Sequence, residues 1–300
     1  MSGWNPFRRA PGFDIVVTFN EVDYGAKREY APRTLSGTPI GFVDQLCVLG
    51  ASARVHLPRV RRYAVHTQPL DPPQRSRLTA NGWEVVHAQR RPGPPELERF
   101  HDRLAGYGVG RAGSQLYLDS DMILTGRPDL DLSAPVAATY AGNHAFDADT
   151  WNRLCAVAGA RPVSPEALAA YSYDDWFLRG ESSDMPFLNN GAVLVRRAER
   201  DGFAALMVEI GDQIRAAGLL ETVPRLGHFF DQVCMSLAVR RTAGAGLLPP
   251  GINTLRSMVD LGDPEVRRRA VLLHYLGSRD VADVHRHFPE PFDAVLAPRR

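Results

Sequence analysis

Gln115-Leu116-Tyr117-Leu118-Asp119-Ser120-Asp121-Met122-Ile123-Leu124-Thr125-Gly126-Arg127-Pro128 is the stretch on which the reading of this 300-residue chain turns. Its apolar run Leu116-Tyr117-Leu118 stops on two carboxylates separated by one residue. In α/β folds ligands gather outside the carboxyl ends of the strands, so a strand ending on Asp119 and Asp121 delivers two hard oxygen donors to that edge. Such a pair leaves several coordination positions open and suits Mg²⁺ or Mn²⁺ bridged to a diphosphate. Without a cation the two charges repel. The plain alternative is a turn in which Asp119 caps a helix and Asp121 is solvated. Against it stand the apolar approach, the absence of a following glycine or EF-hand loop, and the partners downstream.

The flanking patterns predict an α/β fold. Upstream, Phe13 to Asn20 is a β-branched apolar run that reads as a buried first strand. A polar loop to Pro39 follows, and then a helix through Phe42, Val43, Leu46, Cys47 and Leu49, with Thr38-Pro39 as its start signal. Arg62 to Thr67 and Trp83 to His87 read as short strands separated by a Pro/Arg stretch and the Asn81-Gly82 turn signal. From Glu96, the spacing of Leu97, Phe100 and Leu104 predicts an amphipathic helix with Arg99, Asp102 and Arg103 on its polar face. Downstream, Val136 to Tyr140 and Leu188 to Val195 read as strands around a helical excursion at Pro165 to Phe177. Helices are predicted over Phe203 to Ile214 and Asp231 to Val239. The alternation gives a Rossmann-like central sheet, mixed but mainly parallel, flanked by helices.

Bulk properties narrow the function. A hydrophobic fraction of 44% supports one large domain with a substantial core. The net charge is +1 with acids and bases interspersed, so no basic face is present to gather nucleic acid. Lys27 is the only lysine, which removes most lysine chemistry. Cys47, Cys155 and Cys234 lack the paired spacing of a zinc site or disulfide framework and are expected to be reduced and buried. No signal-peptide pattern and no apolar run of about 18 residues is seen, so a soluble, cytoplasmic protein without a membrane span is expected.

Four segments resemble the GT-A glycosyltransferases, most closely glycosyltransferase family 8, the glycogenin-like and bacterial galactosyltransferase-like retaining enzymes. Leu116-Tyr117-Leu118-Asp119-Ser120-Asp121-Met122 is similar to the family's Tyr-Leu-Asp-X-Asp segment. Phe187-Leu188-Asn189-Asn190-Gly191-Ala192-Val193 resembles its Phe-Asn-X-Gly-Val strand with one extra residue. Asp231-Gln232 resembles an Asp-Gln pair at a helix start, and His274-Tyr275-Leu276-Gly277 a late His-Phe/Tyr-X-Gly motif. Arg103-Leu104 is a weaker fifth match. Asp44-Gln45 looks like the Asp-Gln pair too, but lies inside the first helix and is set aside.

The resemblance implies an enzyme that transfers a sugar from a nucleoside diphosphate sugar, expected to be UDP-linked, to a hydroxyl acceptor, with retention. It implies Mn²⁺ (or Mg²⁺) on Asp119, Asp121 and His274, and the transferred sugar held by Asn189, Asp231, Gln232 and Arg103. The donor is expected to meet Thr18, Asn20, Tyr24, Asp119, Ser120, Gly277 and Arg279, with Asp23 and Tyr24 near the base. The implied organisation is a lead over 1–12, a catalytic domain over 13–250 that binds the nucleotide sugar, and a C-terminal segment over 251–300 that completes the metal site.

The chain also departs from the family. Where a lysine usually follows the late motif, Ser278-Arg279-Asp280-Val281 stands, so phosphate binding falls to Arg279 as a bidentate donor. An acid common near Ala141 is missing, with Asn143 or Asp147 as substitutes. The cluster Tyr171, Tyr173, Asp174, Asp175 and Trp176 fits either an acceptor-side sugar platform or an exposed helix end. Two other functions compete. A haloacid-dehalogenase-type phosphohydrolase would use Asp119 as nucleophile but needs a downstream lysine. A non-catalytic sugar-binding protein has no need of three convergent metal ligands.

Overall fold

β1 (Phe13–Thr18) is buried on both faces, Val16 packing into one apolar cluster and Ile15 and Val17 into the other. The two-residue period of a strand thus supplies both sides of the sheet. The structure, a computed structural model, describes residues 12–20, 33–94, 97–181, 184–276 and 278–296. After β1 come β2 (Arg33–Leu35), β3 (Thr38–Ile40), α1 (Phe42–His56), β4 (Arg62–His66), α2 (Pro72–Ala80), β5 (Glu84–His87) and α3 (Glu98–Gly106). The middle of the chain forms β6 (Ser114–Leu118), β7 (Met122–Leu124), β8 (Val136–Tyr140), α4 (Ala148–Ala158), α5 (Pro165–Ala169) and β9 (Leu188–Arg196). Then follow α6 (Arg200–Ala216), α7 (Leu219–Thr222), α8 (Phe230–Arg241), β10 (Gly246–Leu247) and β11 (Thr254–Leu255). The last elements are α9 (Pro264–Arg269), β12 (Leu272–His274), α10 (Ser278–His287) and α11 (Pro289–Leu296).

The main sheet has seven strands in the order β10-β8-β9-β6-β1-β4-β5. β9 pairs antiparallel with both neighbours and every other pairing is parallel, so the mixed, mainly parallel class is borne out. The reversal of β9 matters for the site. It brings the start of this strand, Leu188 to Asn190, to the edge where β1 and β6 end. At Asp119 the chain leaves the large sheet, because β7 belongs to a second, three-stranded sheet ordered β11-β12-β7. There β12 runs antiparallel to β7 with His274 opposite Met122.

Some local expectations are corrected. Thr38-Pro39 does not start α1. Ser36 and Gly37 both have positive φ, 51° and 81°, and close a tight hairpin turn that puts Thr38 and Pro39 in β3. The N-cap is Gly41, whose N–H donates to Asp44 Oδ2 at 3.0 Å. The Pro/Arg stretch between β4 and β5 is helical as α2, with Asp71 as N-cap and proline in its first turn. Asp147 is the N-cap of α4, accepting from Thr150 N at 2.8 Å, and these hydrogen bonds hold its carboxyl below the ordinary range. The three cysteines are free and buried. Among the described residues, no helix is long and apolar enough to cross a membrane.

Candidate functional site

Three chain segments converge where β6 gives way to β7. Asp119 N–H donates to the Gly191 carbonyl at 3.0 Å, and Tyr275 N–H donates to the Asp121 carbonyl at 3.0 Å. These backbone bonds clamp the Asp-X-Asp turn between β9 and the end of β12. They bring His274 Nε2 to 3.2 Å from Asp121 Oδ1 and 3.8 Å from Asp119 Oδ2. One ligand atom from each of Asp119, Asp121 and His274 lies within 4.8 Å of the others.

The imidazole is held from behind by Asn253. Asn253 Nδ2 donates to Thr139 Oγ1 and to Asn189 Oδ1, each at 2.9 Å. With both amide protons engaged, Asn253 Oδ1 is the acceptor for His274 Nδ1–H, at 2.9 Å. In the neutral ring with its proton on Nδ1, the Nε2 lone pair would be directed at the two carboxylates. Three electron-rich donors, two oxygens and a nitrogen, repel one another unless a cation lies among them, so the set fits a divalent metal such as Mn²⁺ or Mg²⁺. Asn253 adopts a positive φ of 63°, a conformation that asparagine tolerates better than most residues.

The opposite wall is a charge network on α3 and α8. Arg103 donates from Nη2 to Asp119 Oδ1 and from Nη1 to the Asn190 carbonyl at 2.5 Å, and its Nε lies 3.5 Å from Asp231 Oδ2. Burial alone would lower the Arg103 pKa, but the Asp119 and Asp231 carboxylates outweigh it and raise it. For Asp231 the signs are mirrored. Burial favours its neutral form, while Arg99, Arg103 and the Asn190 hydrogen bond at 2.9 Å pull its pKa below the ordinary value. Both groups are therefore held charged. Asp231 lies in the first turn of α8, where the N-cap is Phe229, and its Oδ1 accepts from Gln232 N at 2.9 Å. Gln232 is half-buried beside it.

Beside this network runs a cleft lined by Thr18, Asn20, Phe42, Arg99, Asp102, Arg103, Asp119, Ser120 and Asp121. Asn20 turns its amide inward. Its Nδ2 donates to Asp102 Oδ2 and to Thr67 Oγ1 at 2.9 Å, while its Oδ1 accepts from Thr67 N at 3.0 Å. Asp102 also takes a two-pronged contact from Arg90, at 2.5 and 3.1 Å. Ser120 donates to Gln45 Oε1 at 2.8 Å. The Asp44-Gln45 pair, set aside on its position in the chain, thus reaches the Asp-X-Asp turn through its second member.

Of the residues singled out from the sequence, Asp119, Ser120, Asp121, His274, Asn189, Arg103 and Asp231 come together. Asn189 faces its own strand, accepting from Gly191 N at 2.7 Å, and it is Asn190 that reaches Asp231. The register against β8 shifts here, Ala138 pairing with Val193 and Thr139 with Asn189, so that Asn190, Gly191 and Ala192 bulge opposite a single step of β8. Arg279 is exposed on α10, where Asp280 Oδ2 accepts from Leu276 N at 3.1 Å. Asp23, Tyr24 and Gly277 lie outside the described residues. In the Tyr171 to Trp176 cluster, Trp176 packs edge-on to Tyr140 and Tyr173 Oη accepts from Leu255 N at 2.9 Å, while Tyr171, Tyr173 and Asp174 line a second pocket with Asn143 and His144. Sequence reasoning missed the contributions of Asn253, Gln45 and Asn190.

No sequence-family profile and no curated protein sequence matches this chain. Solved structures do match in fold. A crystal structure of the galactosyltransferase LgtC in complex with donor and acceptor sugar analogs aligns over 96% of this chain and 98% of its own, with a TM-score of 0.56 at 15% identity. An active-site mutant of LgtC aligns over the same shares with a TM-score of 0.53 at 13% identity. The mixed, mainly parallel sheet with its flanking helices is accordingly the GT-A fold that these structures share.

Proposed function

We propose that the protein is a metal-dependent glycosyltransferase of the hexosyltransferase class, moving a sugar from a nucleoside diphosphate sugar, UDP-linked, to a hydroxyl acceptor with retention of configuration. The observation that carries this reading is the convergence of Asp119, Asp121 and His274 within 4.8 Å, with both acids on the wall of the cleft. The fold shared with a galactosyltransferase crystallised with donor and acceptor sugar analogs supports it. A divalent cation bound there, Mn²⁺ in the first instance, supplies electrostatic stabilisation of charge building on a departing diphosphate.

The chain's own groups have distinct parts in this reading. Arg103 fixes Asp119 and the Asn190 carbonyl, and so sets the distance between the metal ligands and the sugar side of the cleft. Asp231, held ionised by its arginines, places a negative charge beside the sugar carbon that becomes electron-poor as the leaving group departs. Gln232 borders the reacting face, and Asn189 acts one step back, bracing Asn253 behind His274. Thr18 and Asn20 form the nucleoside end of the cleft, and Ser120 its floor. A phosphohydrolase reading is less economical, because Asp119 is engaged by Arg103 and would be a poor nucleophile. The test is incubation with UDP-sugars with and without Mn²⁺. Mn²⁺-dependent release of UDP is expected, with retained anomeric configuration by NMR. Failure of every UDP-sugar to turn over or to raise the melting temperature would sink the proposal.

A further inference from the structure

This inference rests on the functional reading above and concerns which side chain takes the donor's phosphates. Among the described residues lining the cleft, the cations are Arg99 and Arg103. Arg103 is a framework group: its three guanidinium nitrogens face Asp119, the Asn190 carbonyl and Asp231, and its side chain is only 15% exposed. Arg99 stands one helical turn earlier on α3, at the i,i+4 spacing that puts both arginines on one face. Its side chain is 43% exposed, and its Nε lies 3.6 Å from Asp231 Oδ2, longer than a hydrogen bond. A half-exposed guanidinium at the cleft wall can turn from Asp231 to an incoming oxyanion by rotation of its own side chain.

Charge balance points the same way. Asp119, Asp121 and Asp231 bring three negative charges to the site, and the charge of Asp102, which also lines the cleft, is matched by Arg90. With a divalent cation and both arginines the site is positive by about one unit. Without Arg99 it would be neutral, and the cation would be the one remaining attraction for a diphosphate. The exposed Arg279 on α10 is not among the residues lining the cleft. We propose that Arg99 is the phosphate-gripping residue of this chain, its guanidinium turning from Asp231 to the non-bridging oxygens of the donor's diphosphate, a geometry for which arginine's planar fork is suited.

The experiment is titration of wild type, Arg99→Ala and Arg99→Lys with UDP and with uridine, each in saturating Mn²⁺, by calorimetry for UDP and saturation-transfer NMR for uridine. Loss of a charge-assisted contact should weaken UDP about 10- to 100-fold in Arg99→Ala, leave uridine within about twofold, and be partly recovered by lysine. Mn²⁺ affinity, read by electron paramagnetic resonance, should not fall. Unchanged UDP affinity in Arg99→Ala, or an equal loss for uridine, overturns the assignment. So does an Arg279→Ala protein that loses UDP affinity while Arg99→Ala keeps it. A wild-type protein that binds Mn²⁺ but no UDP overturns the functional reading, and this inference with it, whereas normal binding in Arg99→Ala removes Arg99 alone.

Discussion

Gly191 lies against the imidazole of His274. A Cβ at position 191 would meet His274 Cε1 and Nδ1, and Asn189 Oδ1, each at 2.8 Å. The glycine is required here for close approach, since its φ is not in the left-handed region. Gly191→Ala must therefore push the imidazole away from Asp119 and Asp121 or open β9 from its neighbour. The expected outcome is a loss of about 1–3 kcal/mol in urea unfolding, as for an over-packed core. Mn²⁺ binding should be lost alongside it, by electron paramagnetic resonance. Full Mn²⁺ affinity with the stability loss intact would show that β9 opens and the imidazole stays in place.

Asn253 acts on the metal through another residue, so its removal separates orientation from ligation. In Asn253→Ala the His274 Nδ1–H loses its acceptor and the ring loses its fixed tautomer. Partners of this kind are typically worth about 10- to 100-fold in metal affinity. Asn253→Ala should weaken Mn²⁺ by that factor, while His274→Ala weakens it further. Equal Mn²⁺ affinity in wild type and Asn253→Ala would rule out the bracing role.

These two residues also mark how far the sequence could be read. β1, β8 and β9 were visible because a buried strand in a mainly parallel sheet is a short apolar run. α2 was not, since Leu78 is its one buried residue and a helix polar on every other side has no periodic signal. α4 carries one, with Trp151, Leu154, Cys155 and Ala158 buried at helical spacing, and its N-cap Asp147 looks in sequence like a site acid. Asp119, Asp121 and His274 were legible because the chemistry needs those types in short motifs. Asn253, Gln45 and Asn190 touch the site through tertiary contacts between segments far apart in the chain, and no local pattern announces them.

Asp231 gives the site a pH signature. Its pKa is depressed in the folded protein, so its ionised form contributes stability above the unfolded value, about 3.9. That stability is lost as pH falls through the still lower folded value. Asp231→Asn mimics the protonated state. Urea unfolding should therefore find wild type more stable than Asp231→Asn at pH 7, with the gap closing as the pH is lowered below about 4. A gap independent of pH would mean that the charge of Asp231 contributes nothing to the fold.

The thiols test the packing independently of the site. Burial pushes Cys47 up to about 11, raises Cys155, and drives Cys234 well above the ordinary range. Since the thiolate is the reactive form, native protein at pH 8 should resist alkylation by iodoacetamide, and all three cysteines should react after denaturation. Rapid labelling of any one in native protein would place it at the surface.

Asp121→Asn distinguishes a metal site from a simple ion pair by the sign of its effect. If the cluster exists to hold a cation, then in excess EDTA two neighbouring acids and an imidazole lone pair face one another, and removing one charge relieves repulsion. Asp121→Asn should then match or exceed wild type in melting temperature. Under saturating Mn²⁺ the order should reverse, because wild type gains about 2.7 kcal/mol when the ligand is at 100 times its Kd and the variant gains little. If His274 were instead an imidazolium bound to Asp121 at 3.2 Å, breaking that buried pair would cost about 3–5 kcal/mol in EDTA and Mn²⁺ alike. Thermal unfolding of the two proteins in the two buffers decides between a ligand set and a salt bridge.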